Sequence, residues 1–426
     1  MQSARYVAVF LNVALTCSCA TLWAADWPQY RGTDQGRSAE TINANPLTTK
    51  PKVVWRVPTA NGFSSFAVAD HRVFTQVNRD LDGSARELCV ALDAATGKEL
   101  WHADIDVGEY PSGGDAGAKG NDGGDGPRST PTVNDGLVYC YTQNLVLHCL
   151  DASNGKKVWS KDIVKDHNGR NIPWNNATSP VIDGDAVFVA GGGPGQSLLA
   201  IDKKTGEVIW KVEDEMITHA TPVVATILGQ RQVIFYLQKG LVAVSVKDGK
   251  ALWRFTMPFQ VSTAASPVVA GDLVYCSAGY GVGGAVCKIA KKGNQFTATE
   301  LWRLRGNKLV PSHWSPPVYK DGHLYGMFSF KEFGKGPLKC VELATGKIKW
   351  EQPGFGAGNV ILVKDKLAAL TDDGRVVIVE ATPKAYKELA QAKVIEGKCW
   401  STPAWSDGRL YVRSTKEGAC LDLARR

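Results

Sequence analysis

The chain has 426 residues, of which 44% are hydrophobic, and a formal net charge of +7 at pH 7. This hydrophobic content is normal for a folded protein and excludes bulk disorder. Lysine and arginine are scattered along the chain and form no basic block, so the net charge gives no specific support for nucleic-acid binding.

The N-terminus has the pattern of an export signal. Arg5 precedes the apolar run 7–15, and small residues close the segment, so residues 1–25 are predicted to be a cleaved signal peptide. An uncleaved membrane anchor is the alternative, although the apolar run is short for a span. Cys17 and Cys19 fit a lipoprotein cleavage pattern poorly. No later stretch is apolar enough to cross a bilayer, and the mature protein is predicted to be periplasmic or secreted.

The two ends of the mature chain complement each other. Residues 26–52 show no strand periodicity and are predicted to be an extended lead-in that crosses one face. Residues 53–57 then form a lone strand that carries Trp55, whereas the C-terminal stretch 399–423 has three predicted strands and no closing tryptophan. We therefore expect the N-terminal strand to complete the C-terminal sheet, which leaves no open edge.

Between these ends the sequence repeats one pattern. The full pattern has a Ser/Thr-Pro start, two apolar runs, an Asp-x-x-x-Gly turn and a closing tryptophan; 128–159 is a complete example, and the other copies keep parts of it. A repeat of roughly 40–50 residues with four short strands is typical of a propeller blade. The predicted blades are residues 63–101, 128–159, 175–210, 218–253, 262–302, 311–350, 356–394 and 399–423, the last completed by 53–57.

The sequence thus predicts an all-β protein in which residues 53–426 form one eight-bladed propeller of four-stranded antiparallel blades. Seven blades is the alternative, because 356–394 lacks both the Ser/Thr-Pro start and the closing tryptophan. A large aromatic residue that recurs on the outer strand can wedge neighbouring blades together. The predicted structural tryptophans are Trp55, Trp101, Trp159, Trp210, Trp253, Trp302 and Trp350.

The stretch 106–127 interrupts the repeats and is rich in glycine and aspartate. It is apolar-poor and is predicted to be a solvated surface loop. Asp115, Asp122 and Asp125 could ligate Ca²⁺, but their spacing differs from that of an EF-hand loop. No metal site is predicted.

The cysteines of the exported chain allow two interpretations. Cys140 and Cys149, and likewise Cys276 and Cys287, lie on facing strands of predicted hairpins, so cross-strand disulfides are one possibility. The alternative is a small buried packing position, since Cys149, Cys287 and Cys340 each lie six residues before a turn glycine.

The residues that precede the innermost strands are expected to ring one mouth of the central channel. Several of them are aromatic or basic, and an anionic or aromatic ligand could stack on Trp400 and pair with Arg128. The alternative is that these residues only line a water-filled channel. The candidate ligand-binding residues are Phe63, Arg128, His219, His313, Trp314 and Trp400.

The strand ends, the Ser/Thr-Pro starts and the export signal together resemble the pyrroloquinoline-quinone-like (PQQ-like) β-propeller repeat family. The stretches DWPQYRG (Asp26–Gly32) and GKCWSTPAWSDGRLYVR (Gly397–Arg413) look like its stand-alone exported branch, the BamB-like proteins. The resemblance implies a monomeric, non-catalytic binding or scaffold protein of the cell envelope. Its partner would be an envelope protein or peptide on a loop face, with no cofactor. The repeat is specific for architecture and not for chemistry.

A second branch of the same family implies an enzyme. In quinoprotein alcohol dehydrogenases the quinone lies between a tryptophan and a disulfide of adjacent cysteines, and Glu and Asn hold Ca²⁺. Residues 26–426 contain no adjacent cysteine pair and no haem-attachment motif C-x-x-C-H. No Glu/Asn/Asp set can be matched, so no catalytic residue is assigned. An oxidoreductase that uses PQQ with Ca²⁺ is kept as the alternative function.

Overall fold

The apolar runs of the repeat become strands, because their β-branched and aromatic residues suit a pleated, half-buried surface. The computed structural model describes residues 26–49, 51–109, 126–259, 261–328 and 330–424, and in it these runs form eight antiparallel blades of four strands each. Residues Arg37–Ser38 of the lead-in add a fifth, parallel strand to the sheet of one blade. The predicted eight-bladed propeller is confirmed. The seven-bladed alternative is wrong, since 356–394 also forms a complete sheet.

The predicted signal peptide and most of the predicted loop, including Asp115, Asp122 and Asp125, lie outside the described residues. Within the described part of the chain, neither helix has the length and hydrophobicity needed to cross a bilayer.

The lead-in and the first four blades contain both helices of the described chain. The lead-in has β1 (Arg37–Ser38) and α1 (Asn45–Thr49), and is followed by β2 (Val53–Pro58). Blades 1 and 2 consist of β3 (Ala67–Ala69), β4 (Arg72–Leu81), β5 (Ser84–Asp93), β6 (Glu99–Val107), β7 (Thr132–Asn134), β8 (Leu137–Tyr141), β9 (Val146–Asp151) and β10 (Lys157–Asp162), followed by α2 (Ile163–Asp166). Blades 3 and 4 consist of β11 (Val181–Asp183), β12 (Ala186–Ala190), β13 (Leu198–Asp202), β14 (Val208–Val212), β15 (Val223–Ile227), β16 (Gln230–Leu237), β17 (Gly240–Ser245) and β18 (Ala251–Thr256).

The last four blades contain only strands. Blades 5 and 6 consist of β19 (Val268–Ala270), β20 (Leu273–Ala278), β21 (Gly283–Lys292), β22 (Gln295–Leu304), β23 (Val318–Lys320), β24 (His323–Met327), β25 (Leu338–Glu342) and β26 (Ile348–Gln352). Blades 7 and 8 consist of β27 (Asn359–Val363), β28 (Lys366–Leu370), β29 (Arg375–Glu380), β30 (Glu388–Lys393), β31 (Ala404–Ser406), β32 (Arg409–Arg413) and β33 (Glu417–Asp422).

The ring closes where the N-terminal strand joins the C-terminal blade. Strand β2 pairs antiparallel with β33, and Trp55 lies opposite Cys420. Blade 8 therefore contains both ends of the propeller, in the order β2-β33-β32-β31. The pairing of β2 with β33 joins the N-terminal and C-terminal parts of the propeller, so the last blade has all four of its strands.

The closing tryptophans link successive blades. The indole N–H of Trp55 donates to the Ala94 carbonyl in the turn of the next blade, at 3.0 Å. The ring lies against Gly97, whose φ of +72° suits glycine and whose position leaves no room for a Cβ. The same donation into the next blade is made by Trp101, Trp159, Trp210, Trp302 and Trp350.

Trp253 is the exception. Its indole N–H donates to Gln232 Oε1, within its own blade, at 2.6 Å. The next blade has a long hairpin of β21 and β22 in place of the short Asp-x-x-x-Gly turn, so the usual acceptor carbonyl is absent from that position.

Blade 7 has no closing tryptophan, and the lead-in compensates for it. Ala390 lies opposite Ile378, at the register where the other blades have tryptophan. Helix α1 packs against β30, and its Leu47, with the preceding Ile42, is buried in the same apolar cluster as Ala390. The lead-in is thus not extended throughout, as it was predicted to be. Because alanine is much smaller than tryptophan, apolar surface is left uncovered beside Ala390, and α1 packs on that surface.

We expect Leu47→Ala to lower the free energy of unfolding by about 2–3 kcal/mol, because it leaves a cavity in this cluster. Leu47 is 2% exposed. The matched control is Leu100→Ala, at a side chain that is 46% exposed, and its loss should be below about 0.5 kcal/mol. Urea-induced unfolding of both variants measures the difference. Equal losses would show that α1 does not contribute to the core.

The Ser/Thr-Pro starts form hydrogen bonds between blades around the channel. In each case a backbone N–H near the innermost strand of one blade donates to a hydroxyl of a neighbouring blade. The donor–acceptor pairs are Thr402 N to Ser65 Oγ (2.9 Å), Ser65 N to Thr130 Oγ1 (3.0 Å), Thr130 N to Ser179 Oγ (2.9 Å) and Ser179 N to Thr221 Oγ1 (3.0 Å). These bonds give the repeated motif a physical reason.

The eight described cysteines are free and buried, which is the arrangement expected from the packing interpretation. Cys149 lies opposite Tyr139 and not opposite Cys140, and this difference of one residue places the two thiols on opposite faces of the sheet. Cys276 lies opposite Ala285, two residues from Cys287, which makes the second pair a diagonal one.

Candidate functional site

One end of the central channel is closed by the chain itself. We call residues Trp27–Gly36 the plug. It bonds to the innermost strands of several blades: Trp27 pairs with Val68, and the Pro28 carbonyl accepts from Val133 N at 2.7 Å. On the other side, Arg31 is 4% exposed and donates to the Pro317 carbonyl at 2.6 Å.

The other end opens into a cavity of about 170 Å³, which we call the mouth cavity. Tyr30 of the plug lies at its base, and the Tyr30 phenol hydrogen-bonds Thr402. The cavity is lined by Tyr30, Phe63, Ser65, Arg128, Trp174, Ala177, Ser179, His219, Thr221, Ser262, Ala264, Tyr280, His313, Trp314, Lys331, Trp400 and Thr402. All six candidate ligand-binding residues are therefore brought together, although their role in binding stays a prediction.

An aromatic wall forms one side of the mouth cavity, with Trp400 at its centre. The Trp400 ring stacks on Phe63, with ring centroids 4.9 Å apart, and on Phe333 at 5.4 Å. Trp314 lies 5.0 Å from Trp400 at a tilt of 32°. The wall therefore presents indole and phenyl surfaces at one edge of the cavity.

The opposite side is polar and rigid. His219 Nε2 lies 2.9 Å from the Asn175 carbonyl, which can only accept, so Nε2 carries the proton and Nδ1 accepts from Ser262 Oγ. Arg128 donates to the Trp174 carbonyl at 3.3 Å, and its guanidinium lies 5.9 Å from the centre of the Phe63 ring.

Trp174 and Asn175 are held in an unusual backbone conformation. Their φ angles are +68° and +60°, a region that bulky residues rarely adopt. Asn175 Nδ2 donates to Gln143 Oε1 at 2.7 Å, and this bond, with those to Arg128 and His219, holds the segment in place. Backbone strain of this kind concentrates at functional sites.

Both histidines of the cavity are neutral at pH 7. Burial, with the nearby positive charge of Arg128, lowers the pKa of His219 to about 4. Burial, followed by His219 and Lys331, lowers the pKa of His313 to about 3. The positive charge of the lining therefore comes from Arg128 and Lys331, and the described part of the chain adds no aspartate or glutamate to it.

A buried carboxyl group lies behind the polar side. Glu87 is fully buried, accepts from Gln76 Nε2 at 2.8 Å, and accepts from Gln143 N at 3.2 Å. Burial and the negative charge of Asp106 raise the pKa of Glu87 to about 8. Through Gln143 and Asn175, this carboxyl is linked by hydrogen bonds to His219 in the cavity.

Of the lining residues that were not among the six candidates, four lie outside the repeated motif. Tyr30 lies in the lead-in, and Trp174, Tyr280 and Lys331 lie in loops outside the repeated motif. The only signal for them was the DWPQYRG stretch, which contains Tyr30. The loop residues have no repeated spacing from which their position could be read.

The mouth cavity is unsuited to a calcium ion. Ca²⁺ requires six to eight oxygen ligands, mainly carboxylates and carbonyls. The lining residues include no aspartate, glutamate, asparagine or glutamine side chain. Across the described residues, no group of three or more His, Cys, Asp or Glu side chains is placed to hold a metal ion.

Comparison with known proteins finds two kinds of relative. Outer membrane protein assembly factor BamB of Moranella endobia is 24% identical over 59% of this chain and 64% of its own length. The dehydrogenase subunit of the quinone alcohol dehydrogenase of Gluconacetobacter polyoxogenes is 25% identical over 66% of this chain and 41% of its own length. The chain thus spans less than two thirds of the length of either relative.

Structural similarity supports the same fold. The crystal structure of BamB from Moraxella catarrhalis aligns with a TM-score of 0.62 at 15% identity, covering 88% of this chain and 98% of that one. A sequence model of the family described as outer membrane protein assembly factor BamB matches residues 85–352. The chain therefore belongs to the PQQ-like repeat family of outer membrane protein assembly factor BamB.

Proposed function

We propose that the chain is a non-catalytic binding propeller of the cell envelope that acts with protein partners in outer membrane protein assembly. The observation that carries this proposal is the composition of the mouth cavity, to which the described residues contribute no carboxylate or amide side chain. Calcium-assisted chemistry depends on such groups. The two histidines of the cavity are held neutral, as their lowered pKa values show.

The plug supports a role in binding at one face. Because Trp27–Gly36 closes one end of the channel, the two faces of the propeller differ, and only one presents the mouth cavity. Wide propeller faces built from loops can bind protein partners or extended peptides. We place the partner on the face with the mouth cavity, and expect the protein alone to be a monomer and to be exported.

Deletion of the gene in the host tests this function. We expect the deletion to lower the amount of folded, heat-modifiable β-barrel protein in the outer membrane, and the full-length chain to restore it. The control is a chain without residues 1–25, which should accumulate in the cytoplasm and fail to restore assembly. Unchanged outer membrane proteins in the deletion strain would overturn the assembly role.

A quinone-dependent dehydrogenase is the second candidate, because the quinone alcohol dehydrogenase subunit is among the relatives. The residues present do not fit the calcium-bound cofactor. The described lining of the mouth cavity has no side chain suited to Ca²⁺, and the eight described cysteines are free, with no two adjacent in the chain. No reaction step is therefore derived through the quinone.

We expect Ca²⁺ to leave the affinity for pyrroloquinoline quinone unchanged, because none of the described residues that line the cavity has a side chain suited to calcium. The measurement is calorimetric titration of the mature chain with the quinone, once with added CaCl₂ and once with a chelator. The two dissociation constants should agree within about twofold, a difference of about 0.4 kcal/mol. A tenfold gain with Ca²⁺, together with dye reduction by an alcohol, would establish the dehydrogenase.

A further inference from the structure

The plug pairs with the inner edges of the first two blades through its own backbone. We call the residue two positions after the strand-start proline, or after its counterpart, the edge residue of a blade. Trp27 exchanges two backbone hydrogen bonds of 2.8 Å with Val68, the edge residue of blade 1. The carbonyl of Pro28, the next residue of the plug, accepts from the N–H of Val133, the edge residue of blade 2, at 2.7 Å. Successive residues of one segment thus pair with the edges of successive blades.

The plug pairs with blade 5 through a side chain. Gln35 Nε2 donates to the carbonyl of Val269, the edge residue of that blade, at 3.2 Å, and Gln35 Oε1 accepts from Val269 N at 2.8 Å. This carboxamide makes the same two hydrogen bonds with blade 5 that the backbone of Trp27 makes with blade 1. An amide is therefore the chemical group that the chain itself places against these edges.

Blades 3 and 4 receive no hydrogen bond from the plug in the part of the chain that the structure describes. Their edge residues, Ile182 and Val224, are both half-buried. Asp183 and Ala186 flank a two-residue turn and form a hydrogen-bonded pair, so the N–H and C=O of Ile182 point away from β12. The same alternation along β15 directs the N–H and C=O of Val224 away from β16. Among the described residues, the backbone groups of these two edges are therefore open.

The two open edges border a cavity of about 280 Å³, which we call the plug cavity. Plug residues, among them Gln29 and Thr33, line one side, and Ile182 and Val224 line the other. Ser179, which precedes β11, lines the mouth cavity, whereas β11 itself lines the plug cavity, so the plug cavity lies further along the channel. Its volume is near the lower end for ligand pockets, about 300 Å³, and suits a short segment better than a folded element.

The charged side chains at the plug cavity already have partners within the chain. Arg231 pairs with Asp183, and its Nε lies 3.1 Å from both carboxylate oxygens. Arg31 donates to the carbonyls of Gln35 and Pro317, at 2.7 and 2.6 Å. The open backbone groups of the two edges, more than these charges, therefore determine the kind of ligand that fits.

We propose that the plug cavity binds a short extended segment of another polypeptide chain. One residue of the segment exchanges backbone hydrogen bonds with Ile182, and the next residue pairs with Val224. Trp27 and Pro28 pair with blades 1 and 2 in this way. β-branched residues, which favour an extended backbone, suit such a segment. The site goes beyond the proposed function, because it lies at the plug and not on the face where that function places its partner.

Amide hydrogen exchange, measured by NMR on the mature wild-type chain, tests whether the two edges are open. We expect the N–H groups of Ile182 and Val224 to exchange at least about tenfold faster than the edge N–H groups that the plug bonds. The plug-bonded groups are those of Val68, Val133 and Val269. Equal exchange rates at all five positions would show that the chain itself covers the two edges, and would overturn the proposal.

The probe for binding is the capped tripeptide N-acetyl-Thr-Val-Thr-amide, titrated by calorimetry. Three analogues each replace one backbone N–H with an ester oxygen, which removes a donor and keeps the shape. We expect the parent peptide to bind and at least one ester analogue to bind about tenfold more weakly. The bound parent should also slow exchange at Ile182 and Val224 at least about tenfold, and leave Val269 unchanged. No binding at about 10 mM, or affinities of all four peptides within about twofold, would overturn the proposal.

Filling the plug cavity should abolish binding. Thr33 is exposed and lines the cavity, so Thr33→Trp is expected to occupy it and to weaken binding of the tripeptide at least about tenfold. The matched control is Thr297→Trp, at an exposed threonine of the β21–β22 hairpin outside the lining, which should keep the affinity within about twofold. Equal affinities in the two variants would overturn the site. Cooperative urea-induced unfolding verifies that each variant is folded, and the ester analogues decide the question if Thr33→Trp is not.

The tests also separate a second copy of the chain from another polypeptide. Dimerisation of the wild-type chain that Thr33→Trp abolishes would assign the plug cavity to a second copy, and would overturn the proposal. The peptide measurements use purified protein, whereas the assembly role is measured in the deletion strain. The two proposals can therefore fail independently of each other.

Discussion

Replacing Arg413 with leucine is expected to lower the free energy of unfolding by about 3–5 kcal/mol. Arg413 is 1% exposed and lies at the end of β32, in the blade that closes the ring. Burial lowers the pKa of its guanidinium to about 9. A charged group at such depth is tolerated only when its donors are satisfied.

The partners of Arg413 join the last blade to the first. Nη1 donates to Thr75 Oγ1 at 2.5 Å and to the Gln76 carbonyl at 3.0 Å, both in β4 of blade 1. Nη2 donates to the carbonyls of Ala60 and Gly62, at 3.1 and 3.3 Å, in the segment that follows β2. Leucine would leave several of these buried acceptors without a donor at the point where the ring closes.

Guanidinium-induced unfolding, followed by tryptophan fluorescence, measures the effect. The control is Arg409→Leu in the same strand, because Arg409 is only half-buried and donates to a single described carbonyl, that of Ala94, at 3.3 Å. We expect Arg409→Leu to lower the free energy of unfolding by less than about 1.5 kcal/mol. Equal losses in the two variants would mean that Arg413 does not hold the closure.

The second expected result concerns pH. Relative to Glu87→Gln, the wild-type protein should lose about 3–4 kcal/mol of stability between pH 5 and pH 8. The folded-state pKa of Glu87, about 8, lies above the ordinary value of 4.5 because the carboxyl is buried and Asp106 is nearby. The folded protein therefore keeps this proton at pH values where the unfolded chain releases it. The contribution is complete below pH 4.5 and is lost as the pH rises through about 8.

The measurement is the difference in unfolding free energy between wild type and Glu87→Gln at pH 5, 6.5 and 8. A difference is required because His219 and His313 act in the opposite direction: their lowered pKa values reduce stability as the pH falls below 6.5. The glutamine keeps an acceptor for Gln143 N, so the variant should remain folded. The control is Glu207→Gln at an exposed glutamate, which should show no such trend. A pH-independent difference for Glu87 would contradict the buried, protonated carboxyl.

The repeats made the fold predictable, because most copies contain both a glycine turn and a closing tryptophan that packs against the next blade. The tryptophan at the end of one blade and the glycine turn of the next, such as Trp55 and Gly97, recur at regular spacing. The completion of the last blade by β2 also followed from the sequence. The C-terminal stretch had three predicted strands and no closing tryptophan, and the N-terminal stretch had a lone strand that carries Trp55. Local patterns of this kind predict the strands and the order in which the blades follow one another along the chain.

The exceptions arise where one element depends on a distant one. Helix α1 folds on the surface that Ala390 leaves open, more than three hundred residues away in the chain. The spacing of the cysteines left two interpretations open, because a difference of one residue in register moves a side chain to the other face of the sheet, as it does for Cys140 and Cys149. Register is set by the whole sheet and not by the spacing of two residues.

The sequence by itself determined an eight-bladed propeller, its closure and the residues that ring one mouth of the channel. Only the tertiary structure decided that the plug closes the other end and that Tyr30 forms the base of the cavity. It also decided that the Trp314 indole N–H has an acceptor, whereas the buried Trp400 indole N–H has none among the described residues. The physical reason is that a repeat encodes contacts within a blade and between neighbouring blades. The plug and the cavity depend on contacts across the ring, and these exist only once it has closed.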